Sequence, residues 1–440
     1  MDQPQSSDWR RYPFDLVPGG DSRFTFPEVE GEHTDCESDT WFIAGELAAE
    51  DTARKFAFLT IFNKNRIGGK IVADFYTLAV FDLDNGTYGT FTEYDVPPAN
   101  MQPGAVNKLS TTPGYLDVAY ETEAGRASWR ACRDEQQQLI PYTYDVVLVG
   151  TDQAGTAMEL RLHVTPTRAP VALGASDYDG KFTCYGQEDT YSYFQTRMRM
   201  SGTLRWGEVD ETVAGDAGHV DRQWFPKYAG AGGPGGDPRS CSHEWRTINL
   251  DNGVDLSIWR QFDRPNHNAL QPFSGATTSY ADGGAAPECA EDVEVGITGY
   301  VRWPEAIQTL VPPPSAARWM PDRHRLTSRQ LDLDLTGEPL VPAPAHGLPI
   351  DYMEGPYYYR GTMRGEPVSG FAFYERTLAM HRDWELVEVL AAEDPSTAEA
   401  VRKMLDDGRR EEAVDYLGKA NLPSETARQV VDDLVTVLKA

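Results

Sequence analysis

Short runs of β-branched and aromatic residues, each stopped by a turn former, constrain the fold of this chain more than any other feature. TWFIAGEL, KFAFLTIFN and DFYTLAVFDL come first, followed by the turn signal Asn85-Gly86. No 3.6-residue period emerges in them. In the run ending at Pro166, Met158, Leu160, Leu162 and Val164 alternate with Glu159, Arg161 and His163. That is the period of a strand with one wet face. Trp245, Thr247 and Asn249 alternate in the same way ahead of Asp251-Asn252-Gly253, a hairpin signal, and Val254 to Phe262 reads as the returning strand. EVGITGYVRW, RLTSRQLDLDL, GPYYYRGTMRG and GFAFYERTLA continue the style. Many short strands between turns predict a mainly β, antiparallel barrel or sandwich, not a parallel α/β sheet.

At 440 residues the chain is too long for one ordinary core. The expected division is an N-terminal arm over 1–39, a first β-domain over 40–228, a second over 229–392 and a helical segment over 393–440. The Gly/Pro stretch AGAGGPGGDPRS at 229–240 marks the boundary, as a linker or as a lid over a pocket. In the tail, Asp394-Pro395 offers an N-cap with proline at the first helical position, and Gly408 and Gly418 break the helices. Ala427, Val430, Val431, Leu434, Val437 and Leu438 make an apolar stripe. This stripe either packs on a barrel of its own chain, or it pairs two chains as a homodimer or docks to a partner protein.

A net charge of -28 argues against nucleic acid and anionic membranes as partners. The five cysteines are scattered without C-x-x-C spacing, which disfavours a disulfide framework or structural zinc. The N-terminus has no apolar h-region and no run of 18 apolar residues occurs, so the expectation is a soluble, cytoplasmic protein. G-x-G-x-x-G after a strand, G-x-x-x-x-G-K-[ST], H-E-x-x-H and G-x-S-x-G are absent. The Gly-rich 230–236 run has no following helix to make a phosphate loop. His243 and His267 stand apart from other ligand types. No metal and no organic cofactor are expected.

Chemistry concentrates between Cys184 and Trp259. If the strand at Asp221-Arg222-Gln223-Trp224 alternates, Asp221 and Gln223 face one way and Arg222 and Trp224 the other. An Asp against aromatic walls has its charged form desolvated and can donate a proton near neutrality. The competing reading pairs Asp221 with Arg222, Arg246 or Arg197 as a structural ion pair. His243 is a candidate general base with Glu244 as its orienter, or Glu244 is the second carboxylate of an acid/base pair; a surface hairpin is the bland alternative. His219, two residues before Asp221, is a weaker candidate for a proton relay. Trp41, Tyr191, Tyr193, Trp224, Trp245, Trp259 and Tyr358 are candidate walls for an apolar substrate, or core.

These stretches resemble the AttH-like, carotenoid hydratase-like family, which includes hydratases and lipocalin-like Diels–Alderases. The resemblance rests on TWFIAGEL, YSYFQTRMRMSGTL, GDAGHVDRQWF, EWRTINLDNG and YMEGPYYYRGTMRGEPVSGFAFYERT, in the family's order over about residues 40–385. Three positions depart from its pattern: paired tryptophans read Thr40-Trp41, D-H-E-W reads Asp221-Arg222-Gln223-Trp224, and W-E-G reads Met353-Glu354-Gly355. The resemblance implies two lipocalin-like β-barrel or sandwich domains meeting at a pocket; the helical tail, an appendage, lies outside it. It also implies an apolar small-molecule substrate. The activity expected is hydration, dehydration or cyclisation of a polyketide- or isoprenoid-like molecule, with Asp221 as the acid. The alternatives are a pericyclase acting by preorganisation and a non-catalytic carrier of an apolar ligand.

Overall fold

The structure is a computed structural model that describes residues 8–67, 70–71, 73–95, 104, 106–184, 187–227, 239–272, 274–311, 313 and 315–440. Most of the 229–240 stretch, where a linker or lid is expected, lies outside the described residues; only Arg239 and Ser240 fall within them.

Two antiparallel sheets carry the fold. Among the described residues the first has 16 strands and curls into a nearly closed barrel; the second has 11 and forms a half-barrel. Five neighbouring strands of the first sheet bear on function: β1 (Ser38–Ala49), β2 (Lys55–Ile67), β3 (Asp74–Asp82), β4 (Gln187–Thr196) and β5 (Gly218–Phe225), in the spatial order β4-β5-β1-β2-β3. In the second sheet the corresponding strands are β6 (Cys241–Leu250), β7 (Val254–Asp263), β8 (Trp319–Ser328), β9 (Tyr352–Met363) and β10 (Glu366–Thr377). The hairpin expected at Asp251-Asn252-Gly253 joins β6 to β7. Gly253 turns it at φ 86°, a left-handed conformation that glycine adopts without a steric penalty.

Alternation splits each strand between two environments. On β1, Trp41 and Ile43 point into the first barrel, with Phe58 and Phe62 of β2 and Trp224 of β5. Phe42 and Ala44 point the other way, with Leu59, Ile61, Phe75 and Phe81, and meet Leu348, Tyr352, Phe371 and Phe373 of the second half. Contact there is close: a Cβ on Gly355 would lie 2.6 Å from Pro344 and 3.4 Å from Phe81. A second interface cluster places Phe182, Phe194 and Phe225 on Trp245 and Trp259. Its rim is clamped by Asp255 of β7. Arg197 Nη2 lies 2.9 Å and Arg168 Nη1 3.1 Å from the Asp255 carboxylate.

The N-terminal arm fills the first barrel. Phe24, Phe26 and Val29 belong to its interior cluster, and Glu30 accepts hydrogen bonds from Tyr12 (2.8 Å) and Tyr144. Arg222 donates to the buried Asp39 at 2.5 Å and stands 4.1 Å from the Trp41 ring centroid. Burial pushes the Asp39 carboxyl up, but Arg222, His33 and Lys64 overcome that and hold it at about 2.

The tail has four helices where three were expected: α1 (Asp383–Glu393), α2 (Pro395–Asp406), α3 (Arg410–Leu417) and α4 (Glu425–Lys439). α1 precedes the expected start at 393. Its first turn is fixed by Glu385, which accepts from the backbone N–H groups of His381 (2.8 Å) and Arg382 (3.0 Å) and binds Arg264 through both carboxylate oxygens. The apolar stripe of α4 packs within the chain, in one cluster with Trp319, Met380 and Leu390. Among the described residues no helix is long and apolar enough to cross a membrane.

Candidate active site

A cavity of about 280 Å³ opens between the two sheets. Phe42, Ile61 and Phe75 line its first-sheet wall, and Leu348, Ile350 and Tyr352 its second. Its polar groups converge from facing strands. Asp221 and Gln223 come from β5, His243 from β6 and Glu375 from β10. A narrow inner extension adds His219, Trp245, Glu354 and Phe373, and shares Phe42, Asp221 and Glu375 with the main cavity.

Asp221 reaches this wall because β5 alternates: His219, Asp221, Gln223 and Phe225 face the cavity side, while Val220, Arg222 and Trp224 join the barrel interior. Its carboxyl accepts from Gln223 Nε2 (2.8 Å) and Ser192 Oγ (3.2 Å). Burial raises it to about 8, reinforced by the nearby Glu375 charge. The three arginines weighed as its ion-pair partners are engaged elsewhere: Arg222 with Asp39, Arg197 with Asp255 and Arg246 with Glu244.

His243 Nε2 lies 2.5 Å from Glu375 Oε1, and its ring stacks on Trp259 with centroids 4.8 Å apart. The cavity thus presents a carboxyl held in its acid form and a histidine–carboxylate pair. Glu354 is a third carboxyl at the inner end. It accepts from the Tyr352 hydroxyl at 2.8 Å and is raised well above the usual range by burial, then by Glu375 and Asp221. Burial lowers His219 to about 3, so its imidazole is neutral at physiological pH.

Of the residues singled out in the sequence, Asp221 and His243 share the cavity, Trp245 borders its inner extension and Trp259 backs the histidine. Glu244 does not join them. It follows His243 on a strand, so it points to the opposite face, into the second half-barrel. There burial opposes its charge, but Arg246, Arg260 and Arg376 hold it far below the usual carboxylate range. It is the centre of an ion-pair cluster, and the carboxyl beside the histidine is that of Glu375. Trp41, Tyr191, Tyr193 and Trp224 lie on the face away from the cavity and belong to the first-barrel core, the second of the two readings given for them; there Trp224 stacks on His33 at 4.3 Å. Tyr358 is 42% exposed on the outside of β9.

The sequence reading missed Glu375, Glu354, Ser192 and Tyr352. Glu375 carried a signal. In Phe371, Phe373, Glu375 it is a charged residue in the register of an apolar face. Among the described residues, Cys132, Asp145 and His163 bring donor atoms within 4.8 Å of one another. They lie outside the cavity lining, and the five cysteines form no disulfide.

The AttH-like family matches the chain over residues 18–377. No curated protein matches it. Among solved structures, an AttH-designated protein from Nitrosomonas europaea aligns at 17% identity and a TM-score of 0.55, over 82% of this chain and 98% of its own. Kievitone hydratase from Nectria haematococca aligns at 13% identity and 0.54, over 80% and 91%. CghA aligns at 13% and 0.41, over 78% and 88%. The first two show a shared two-sheet fold.

Proposed function

The chain belongs to the AttH-like family, and on that premise we propose that it is a cofactor-independent enzyme of specialised metabolism. It adds water to, removes water from, or cyclises an apolar polyketide- or isoprenoid-like molecule held between the two sheets. The observation that carries this reading is the pairing of opposites in one cavity, where Asp221 keeps its proton to about pH 8 opposite the His243–Glu375 pair. A hydratase among the structural neighbours agrees with it in fold.

In the hydration direction, Asp221 gives its carboxyl proton to an alkene carbon. Trp245 and Phe42 flank the developing positive charge, which aromatic faces favour. Water adds to the cation and loses a proton to the His243–Glu375 pair. A dehydration uses the same acid on a substrate seated the other way round: Asp221 protonates the departing hydroxyl, which leaves as water, and the His243–Glu375 pair removes the carbon-bound proton. A cyclisation uses the same acid to start and the same pair to finish. Buried carboxyls disfavour an anionic substrate, so the natural one is neutral, with a hydrogen-bond acceptor for Asp221 or Glu354.

The test is turnover of a panel of neutral polyenes, enones and prenylated phenols in heavy-oxygen water, comparing wild type with Asp221→Asn. The expected results are label incorporation or loss of water, a rate that falls as pH rises through about 8, and loss of most turnover in the variant. An unchanged rate in Asp221→Asn removes proton transfer by Asp221 and favours the pericyclic reading. Recovery of an unaltered bound ligand by native mass spectrometry, with no product, favours a carrier.

A further inference from the structure

The interior of the second half-barrel holds a charge cluster that the cavity chemistry does not use. Arg260 Nη1 donates to Glu244 Oε1 at 3.0 Å. Arg246 Nη1 lies 3.0 Å from the same oxygen, outside hydrogen-bond alignment, and Arg376 Nη1 lies 3.7 Å from Oε2. Three guanidiniums therefore crowd one carboxylate. Their side chains are 0%, 15% and 5% exposed for Arg246, Arg260 and Arg376, so water does little to screen them.

Nearby acids do not balance them. Glu385 is occupied by Arg264. Glu388 of α1 feels Arg376, but burial and then Glu385 push its carboxyl up to about 7, toward neutrality. His324 is held neutral by burial, with Arg246 adding to the effect. Donors are also left over. Arg246 Nη1 and Nη2, Arg260 Nε and Arg376 Nε make no hydrogen bond within the described protein. Burying a guanidinium is favourable only when its charge and its fork of N–H groups both find partners.

We infer that this interior is a binding site for a small inorganic anion, held by Arg246, Arg260 and Arg376 opposite Glu244. The guest is a halide or a compact oxyanion such as phosphate, the chemistry that guanidinium forks match best. It would tie together β6, β7 and β10. Because strands alternate, it sits directly behind the catalytic candidates: Glu244 and Arg246 flank the position of Trp245 and adjoin His243, and Arg376 adjoins Glu375. Anion occupancy would thus fix the strands that carry the His243–Glu375 pair. This inference is independent of the proposed reaction.

The full-length protein, dialysed into gluconate buffer free of chloride and phosphate, is titrated with sodium chloride or phosphate at matched ionic strength while Tm is read. The expected result is a saturable rise in Tm with at least one of the two, and an anomalous-scattering peak beside the three arginines in bromide-soaked crystals. Glu244→Gln removes the competing carboxylate and should tighten binding about tenfold, whereas Arg246→Met should abolish the saturable response. If Arg246→Met fails to fold, the Glu244→Gln midpoint and the bromide peak decide. A wild-type Tm that follows ionic strength alone, with no bromide peak, overturns the inference. Chloride acting without phosphate identifies a halide-sized site, and phosphate acting without chloride an oxyanion site.

Discussion

Asp221→Asn removes one ionisable group from the cavity wall while keeping its shape. In the wild type, burial lifts the Asp221 carboxyl from 3.8 to about 8. The folded protein therefore holds this proton more tightly than the unfolded chain does. The stabilisation that the group contributes is fully present below pH 3.8 and is lost as pH rises through about 8. At about 1.4 kcal/mol for each pH unit, that loss is on the order of 6 kcal/mol across the window. Asparagine cannot ionise, so it loses nothing. Its amide can still accept from Ser192, and Gln223 can turn its own amide to pair with it. The variant should match the wild type near pH 4, gain on it through neutrality and level off above about pH 8. Urea unfolding followed by tryptophan fluorescence at a series of pH values measures this, provided the m-value stays constant. A stability difference that does not change with pH would falsify the assignment of Asp221 as a buried acid.

Three further outcomes are expected. Glu375→Gln keeps a hydrogen-bonding partner for His243 but removes the charge, so turnover should fall ~10²–10⁴-fold while ligand binding measured by calorimetry persists; because the Glu375 charge helps raise Asp221, the high-pH limb of the profile, where the rate falls as Asp221 ionises, should also move to lower pH. Asp39→Asn leaves Arg222 buried without its counter-charge and should lower stability at pH 7 by ~2–3 kcal/mol, the equivalent of the fall from 3.8 to about 2, measurable by denaturant melts. Since the Asp39 pKa is depressed, its contribution is present above pH 3.8 and lost as pH falls through about 2, so the two proteins should converge in acid. Removing residues 383–440 uncovers Trp319 and Met380; calorimetry and size-exclusion chromatography should show loss of the cooperative transition and aggregation, whereas a folded monomer would show that the second sheet does not need the helices.

The fold was legible because strands write their period into the sequence. The alternation around Met158–Val164 and the turn at Asp251-Asn252-Gly253 appear in the structure as read. The same rule placed Asp221 and Gln223 on one face and Arg222 and Trp224 on the other. It was not carried to His243-Glu244, where adjacency in sequence suggested partnership although strand neighbours point apart. The true partner comes from cross-strand pairing of β6 with β10, where Trp245 sits opposite Glu375 and Glu244 opposite Arg376. Register across 130 residues of chain has no local signature. For Tyr191 and Tyr193 the sequence leaves pocket wall and core open; the structure places both in the core, and the intervening Ser192 is the one that faces Asp221. The arm that fills the first barrel was unreadable for another reason. Its Phe24, Phe26 and Val29 follow no strand or helix period.

In the resting protein near neutral pH, Asp221 should carry a proton. Carboxyl-carbon NMR with labelled aspartate reads this directly, with Asp221→Asn assigning the signal and the full chain titrated from pH 4 to about 10. The expected midpoint is close to 8 and falls when Glu375 is changed to Gln. A midpoint in the ordinary aspartate range, about 3.9, would mean that Asp221 is a carboxylate at neutral pH. The cavity would then have no acid at that position.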